Sequence, residues 1–164
     1  MRYLQGKEID EAEIYMKAAI LETEKSVCSK SKRGVVIVKK MFDENIIVGR
    51  GYNNPVLGRI CYPEHCYNIC NQYCAHAEQN AIFNALFNIH TLKNSRLYHI
   101  KVKNGEVKNS GKPSCIECSK LILKVGIEDI VLKHDEGYGL YSAEEFYDLS
   151  LDSFKQKTLY IEKK

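Results

Sequence analysis

The pattern of apolar and polar residues predicts an alternation of helices and strands along the chain. Apolar residues recur at helical spacing in four segments. These segments are residues 10–27, 76–90, 115–125 and 143–149. In the first segment Asp10 can cap the helix, and Glu13 stands three residues later in the position of a capping box. Ile14, Ala18 and Leu21 fall on one face of this helix, which we expect to pack on the core.

Short apolar runs rich in β-branched residues predict strands between these helices. The runs are residues 34–38, 46–51, 96–102, 127–132 and, near the end of the chain, 158–161. A turn at residues 43–45 would join the first two strands in an antiparallel hairpin. The order of strand, helix and strand from residue 97 onward predicts a right-handed parallel crossover. The whole pattern indicates one layered α/β domain over residues 1–164.

Residues 52–73 interrupt this alternation. They contain Pro55, Gly58 and Pro63 and show no sustained periodicity, which predicts a long irregular segment. Loops of this length in a small domain usually have a function or are stabilised by an additional interaction. Four of the seven cysteines of the chain fall between Cys61 and Cys74. We therefore expect a metal ion to stabilise this segment.

Length and charge narrow the class of protein. The chain has 164 residues, enough for a domain with its own core, and a net charge of +3. No basic arm or block of like charges marks a surface for nucleic acid or membrane, so a polynucleotide partner is disfavoured. Residues 1–8 lack the apolar run of a signal peptide, and no stretch approaches the roughly 18 apolar residues of a membrane span. We therefore expect a cytoplasmic protein, in which cysteine clusters more often bind metal than form disulfides.

Two motifs carry the candidate chemistry. His76 precedes Glu78 by two residues, and Cys115 and Cys118 stand at the C-x-x-C spacing, each motif at the start of a predicted helix. Helix N-termini favour the thiolates that zinc binds. One imidazole and two thiolates leave an open position on a zinc ion, and a nearby carboxylate can serve as general acid and base. The cysteine pair alone would fit a redox pair or half of a structural zinc site, but the combination favours a catalytic zinc.

These motifs resemble those of the cytidine/deoxycytidylate deaminase superfamily, and within it the deoxycytidylate branch. The resemblance runs over about residues 11–132 and includes Cys28, the Gly51-Tyr52-Asn53 element and the run from His76 to Ile82. It implies a three-layer α/β/α fold with a mixed five-stranded sheet flanked by helices. Homo-oligomers are common in this superfamily, so the resemblance also implies a homo-oligomer.

The resemblance further implies the metal ligands. His76, Cys115 and Cys118 would hold the catalytic zinc, with Glu78 as the proton shuttle. The deoxycytidylate branch carries an insertion that in some members holds a second, structural zinc, and the Cys-rich residues at about 54–74 occupy the same place here. The candidates for this second zinc, four at most, are Cys28, Cys61, Cys66, Cys70 and Cys74. The alternative is a loop with free thiols.

Substrate contacts are also implied. Asn53 resembles the family's asparagine that hydrogen-bonds the nucleoside, the alternative being an ordinary turn residue. The other candidates for binding substrate are Ala77, Arg59 and Tyr138. Arg33 and Arg50 flank the same loop and could grip a phosphate, the alternative for each being a solvated surface charge.

The function that we expect is zinc-dependent hydrolytic deamination of a cytosine nucleotide, with dCMP converted to dUMP and ammonia released. One alternative is a deaminase of another nucleoside or base, such as cytidine, guanine, an aminopyrimidine of flavin synthesis or adenosine in RNA. The other is a zinc-binding module without activity. Glu78 disfavours the module because a structural site has no use for that acid.

Overall fold

The computed structural model of the chain describes residues 1–56, 61 and 73–161. Its helices are α1 (Lys7–Glu24), α2 (Ala77–Leu86), α3 (Ile116–Val125) and α4 (Ala143–Ile161). Its strands are β1 (Arg2–Tyr3), β2 (Lys32–Met41), β3 (Glu44–Tyr52), β4 (Asn54–Pro55), β5 (Cys74–Ala75), β6 (Ser95–Lys103), β7 (Glu106–Lys108), β8 (Asp129–Lys133) and β9 (Tyr138–Ser142). Within these residues, none of the helices is both long and apolar enough to cross a bilayer.

The main sheet is mixed, as predicted. Its strands lie in the order β1-β9-β8-β6-β2-β3, and β7 pairs with β6. The predicted hairpin of β2 and β3 is confirmed as antiparallel, with its turn at Phe42 and Asp43. The predicted parallel pairing is confirmed for β6 and β8, while the other pairs in the sheet are antiparallel. The five longer strands match the expected five-stranded sheet, and the short β1 and β7 extend it.

The end of the chain corrects one expectation. The strand predicted at residues 158–161 is wrong, because α4 runs from Ala143 to Ile161. The fifth long strand is instead β9, which pairs with β8 in the sheet. A short apolar run fits a helix as well as a strand, so four residues carried too little pattern to decide.

The first helix also differs from its prediction. α1 begins at Lys7 with Gly6 as its N-cap, so Asp10 lies in the first turn and does not cap. Ile14 and Leu21 are 63% and 57% exposed, whereas Ala19 is fully buried. A Cβ on Gly34 would lie only 1.9 Å from the carbonyl oxygen of Ala19. The small residues of α1 therefore face the sheet because its backbone lies directly on β2.

Helices cover both faces of the sheet and make three layers. α1 packs on one face, where its residues join Val36, Tyr98 and Val131 in one apolar cluster. α2, α3 and α4 cover the other face, where their residues form a second cluster with Val35 and Leu97. Alternate residues of each strand thus enter different cores, as the two-residue repeat of a strand requires.

The contact between α2 and β3 is unusually close. A Cβ on Gly51 would lie 2.3 Å from Ala81 N and 2.4 Å from Ala77 O, and one on Gly49 would lie 2.5 Å from Ala81 O. Only glycine leaves room for the backbone of α2 at these positions. The start of α2 is therefore placed against the end of β3.

The ends of the Cys-rich insertion are joined by β4 and β5. Asn54 pairs with Ala75 and Pro55 with Cys74 in a small antiparallel ribbon. The ribbon leads directly into α2, so the insertion begins and ends beside the start of that helix.

Candidate functional site

The first motif lies at the start of α2. His76 is the N-cap residue of this helix, and its carbonyl oxygen accepts the first helical hydrogen bond, from Asn80 N at 3.0 Å. The side-chain oxygen of Gln79 accepts a hydrogen bond from His76 N at 2.9 Å, which satisfies a backbone donor at the helix end. The His76 imidazole is therefore carried on a well-fixed turn.

The second motif lies at the start of α3. Cys115 is the N-cap residue and Cys118 lies in the first turn, where it is fully buried. The carbonyl oxygen of Cys115 accepts a hydrogen bond from Ser119 N at 3.1 Å. The helix N-terminus brings positive electrostatic potential to both sulfurs.

The two helix starts converge as predicted. His76 Nδ1 lies 3.1 Å from Cys118 Sγ and 3.3 Å from Cys115 Sγ. The three potential ligand atoms all lie within 4.8 Å of one another. In a tetrahedral zinc site with these ligands the edges are about 3.5 to 3.8 Å long, given the usual Zn–N and Zn–S bonds. The observed trio thus fits a zinc ion with shifts of a few tenths of an ångström.

The pKa values of the two thiols are also consistent with a site that binds a metal cation. A hydrogen bond from Cys118 and then the contact with His76 lower the pKa of Cys115 to about 5, against the opposing effect of burial. Cys118 has the opposite shift, because Cys115, burial and the Glu78 carboxylate all raise its pKa. Without a metal the two sulfurs share a proton, and a bound cation would replace it.

Glu78 lies beside this trio. Its carboxylate is close enough to Cys118 to raise the pKa of that thiol through charge and hydrogen bonding. Burial raises the pKa of Glu78, but the charges of His99, His76 and Arg33 outweigh burial, so its pKa is below the ordinary value. The carboxyl is therefore ionised at neutral pH and can accept a proton.

Sequence reasoning did not identify His99. This residue of β6 is 3% exposed and lies near Glu78, and burial lowers its pKa to about 4. Its Nε2 lies 3.3 Å from Arg33 Nη1, which can only donate, so Nε2 accepts and Nδ1 donates to Ser110 Oγ at 3.2 Å. The available signal was a polar residue inside the apolar strand run Leu97-Tyr98-His99-Ile100.

Asn53 is buried at the end of β3, and its side chain bonds to the chain itself. Its Oδ1 accepts from Arg33 N at 2.7 Å and from Ser26 Oγ at 3.0 Å. Its Nδ2 donates to the carbonyl oxygen of Ser31 at 3.1 Å. Asn53 thus fixes the backbone that leads into β2, and its contact with a nucleoside stays a prediction.

The other candidates for substrate contacts are placed differently. Ala77 is fully buried in the first turn of α2, against Gly51. Tyr138 does not reach the site, because the alternation of β9 directs it to the α1 face, where it packs in that core. Arg50 lies on the same α1 face and pairs with Glu22 at 3.6 Å. Arg59 lies outside the described residues.

Part of the second cysteine set can be located. Cys28 is buried, and Cys61 Sγ lies 3.4 Å from the hydroxyl of the neighbouring Ser29. Cys74 lies in β5 at the other end of the insertion. Cys66 and Cys70 fall outside the described residues. In the part of the chain that the structure describes, His76, Cys115 and Cys118 are the group of three or more ligands that could hold an ion.

Comparison with known families agrees with this geometry. Residues 9–134 match the family model described as the cytidine and deoxycytidylate deaminase zinc-binding region. The chain therefore belongs to the cytidine and deoxycytidylate deaminase zinc-binding family. The resemblance drawn from the motifs is thereby confirmed.

Two individual relatives are similar over about three quarters of this chain. Human deoxycytidylate deaminase is 33% identical over 131 residues, which make up 76% of this chain and 65% of that protein. ComE operon protein 2 of Bacillus subtilis (strain 168) is 31% identical over 126 residues, or 74% of this chain and 58% of that protein. The chain thus spans less than two thirds of the length of either relative.

Solved structures share the fold. The dCMP deaminase of cyanophage S-TIM5 in complex with dCMP and dUMP is 28% identical, with a TM-score of 0.56 over 77% of this chain and 82% of that one. The apo form of the same phage enzyme gives 26% identity and a TM-score of 0.53 over 74% and 80% of the two chains. The expected mixed sheet flanked by helices is the architecture of this family.

Proposed function

We propose that this protein is a zinc-dependent hydrolase that deaminates a cytosine nucleotide, converting dCMP to dUMP with release of ammonia. The observation that carries the proposal is the convergence of His76, Cys115 and Cys118 with an ionised Glu78 beside them. The names of the human and cyanophage relatives support dCMP as the substrate.

His76 Nδ1 and the sulfurs of Cys115 and Cys118 would hold the zinc. When bound, zinc supplies the Lewis acidity that makes water a nucleophile at neutral pH. Three protein ligands leave a position open, as catalytic rather than structural zinc sites do. The partly exposed setting of His76 and Cys115 leaves this position accessible to substrate.

Glu78 would move the protons. Its carboxylate takes a proton from the attacking water and delivers it to the ring nitrogen next to the carbon under attack. It then passes the second proton of the water to the amino group, which leaves as ammonia when the carbon–nitrogen bond breaks. The lowered pKa of Glu78 suits it to the first of these steps, because the residue must start as the base.

A second, structural zinc is a separate part of the proposal. Cys28 and Cys61 would supply two ligands, since Cys61 lies against the residue next to Cys28. The remaining ligands would come from Cys66, Cys70 or Cys74. Elemental analysis of the purified protein should give two zinc ions per chain, and a single ion would remove this part of the proposal.

We also propose that the chain forms a homo-oligomer. Three apolar side chains of α2 and the residue after it, Phe83, Leu86 and Phe87, are 55%, 42% and 89% exposed at helical spacing. A patch of this kind is typical of an interface. Sedimentation equilibrium should show a species larger than the 18.8 kDa monomer, and a monomer at micromolar concentration would contradict the proposal.

Ammonia release from a panel of substrates tests the function. The panel holds dCMP, CMP, deoxycytidine, cytidine, guanine and adenosine, and we expect dCMP to react with the highest kcat/KM. Glu78→Gln should abolish turnover while the zinc stays bound, because the amide cannot accept the proton. Glu117→Gln is the matched control, since this acid lies in the first turn of α3 but is exposed and paired with Lys120. Full activity of Glu78→Gln would refute the mechanism, and turnover of another base in place of dCMP would refute the substrate.

A further inference from the structure

A row of cations crosses the sheet beside the site. Arg33 of β2 pairs in register with Lys101 of β6, and Lys101 pairs with Lys108 of β7. Residues paired in register project from the same face of the sheet. Arg33 lies two residues from Val35 on β2, so both side chains face the core under α2. The row thus lies on the face that carries the zinc ligands.

Among the described residues, few carboxylates neutralise the cations of this row. Lys108 has Glu106 as its partner, but among the described residues Arg33 and Lys101 make no ion pair with a carboxylate. Burial and then the charges of Arg33, Lys103 and Lys30 lower the pKa of Lys101. Like charges directly opposite one another destabilise a sheet, so this arrangement costs stability when nothing anionic is bound.

Arg33 is held toward the site by two neighbours. Its backbone bonds to Asn53 on both sides, through Arg33 N at 2.7 Å from Asn53 Oδ1 and through Arg33 O at 3.2 Å from Asn53 N. Its Nη1 donates to Nε2 of the buried His99 at 3.3 Å. A guanidinium has five N–H donors, so most of them stay available to a ligand. Arg33 and His99 share the sheet face that α2 and α3 cover, and the charge of Arg33 is among the causes that lower the pKa of Glu78.

We propose that Arg33, positioned by His99 and assisted by Lys101, binds the phosphate of the substrate and makes the enzyme select a nucleotide over the unphosphorylated nucleoside. This inference rests on the proposed function. Arginine binds phosphate through paired N–H donors, which a lone lysine cannot match. His99 is a positioning residue in this arrangement, because it acts through its hydrogen bond with Arg33.

Replacing Arg33 tests the inference by kinetics. Arg33→Gln should raise the KM for dCMP about 10- to 100-fold, the value of a charge-assisted hydrogen bond or two, with kcat changed much less. Its kcat/KM for deoxycytidine should fall much less than its kcat/KM for dCMP, because only the nucleotide carries a phosphate. Arg50→Gln is the control, since Arg50 lies on the other face and its partner Glu22 keeps Lys25 as a second ion pair.

His99 gives a second readout. His99→Leu removes the acceptor for Arg33 and should weaken the preference for dCMP over deoxycytidine, while His99→Gln keeps an acceptor and should restore part of it. A role in folding alone would lower activity on both substrates equally. Lys101→Gln should give a smaller loss of the same kind, because a lysine does not bind phosphate through paired N–H donors. This variant tests the inference if Arg33→Gln does not fold.

A measurement of ligand binding tests this inference separately from the proposed function. We expect dUMP to bind the wild type more tightly than deoxyuridine, and Arg33→Gln to erase the difference, as measured by titration calorimetry. Failure of the wild type to deaminate dCMP would overturn the proposed function, while the calorimetry would still decide the role of Arg33. An unchanged preference for the phosphorylated ligand in both Arg33→Gln and Lys101→Gln would overturn the inference.

Discussion

Replacing Gly51 by alanine tests how the fold positions the site. The new Cβ would lie 2.3 Å from Ala81 N and 2.4 Å from Ala77 O, about 1 Å closer than an ordinary contact of more than 3.4 Å. Both neighbours are backbone atoms of α2, so no side chain can turn aside. Overpacking of this kind costs typically 1 to 3 kcal/mol, and we expect about 3 because the whole helix must move. For a domain of this size that lowers the Tm by about 6 to 12 °C.

The same shift should damage the site, because His76 and Glu78 lie at the start of the displaced helix. A displacement of about 1 Å can cost on the order of 100-fold in rate. Calorimetric melting and dCMP turnover would be measured side by side. Gly105→Ala is the control, because its Cβ meets nothing within 4 Å and only its positive φ of 78° is strained. A Gly51→Ala protein with wild-type Tm and wild-type kcat would refute the argument that this contact places α2.

Two further predictions concern stability. His99 has a folded pKa of about 4 against an ordinary value of 6.5, so between these values the unfolded state binds more protons. The contribution of His99 to the free energy of unfolding is therefore fully present above pH 6.5, and about 3 kcal/mol of it is lost as the pH drops to 4. Urea titrations should show a smaller loss of stability in His99→Gln over this pH range, and equal losses in the two proteins would contradict the assignment. Ile122 of α3 is fully buried, so Ile122→Ala should lower the free energy of unfolding by about 2 to 5 kcal/mol. Leu123→Ala, at a position 40% exposed, should cost far less, and equal losses in the two variants would argue against the packing of α3.

Much of the fold could be predicted from periodicity. The runs that became β2, β3, β6 and β8 are apolar because one or both of their faces are buried, so the sequence pattern reports them directly. The face of α1 could not be predicted in the same way. Its packing depends on the close approach of Ala19 to Gly34, and the hydrophobic pattern favours large residues such as Ile14 over small ones.

Some residues of the site could likewise be predicted from the sequence, and others could not. His76, Cys115 and Cys118 were predictable because zinc requires their residue types at fixed spacings. The position of Tyr138 was not, because it depends on the register of β9 in the sheet. His99 and Arg33 meet only through the pairing of β2 with β6, which brings together residues far apart in the chain.

The most direct test of the central claim is the zinc content of two proteins purified side by side. We predict that Cys115→Ser/Cys118→Ser contains one zinc ion fewer per chain than the wild type and releases no ammonia from dCMP. The same zinc content in both proteins, with deamination intact in the double variant, would contradict a catalytic metal held by His76 and these two cysteines.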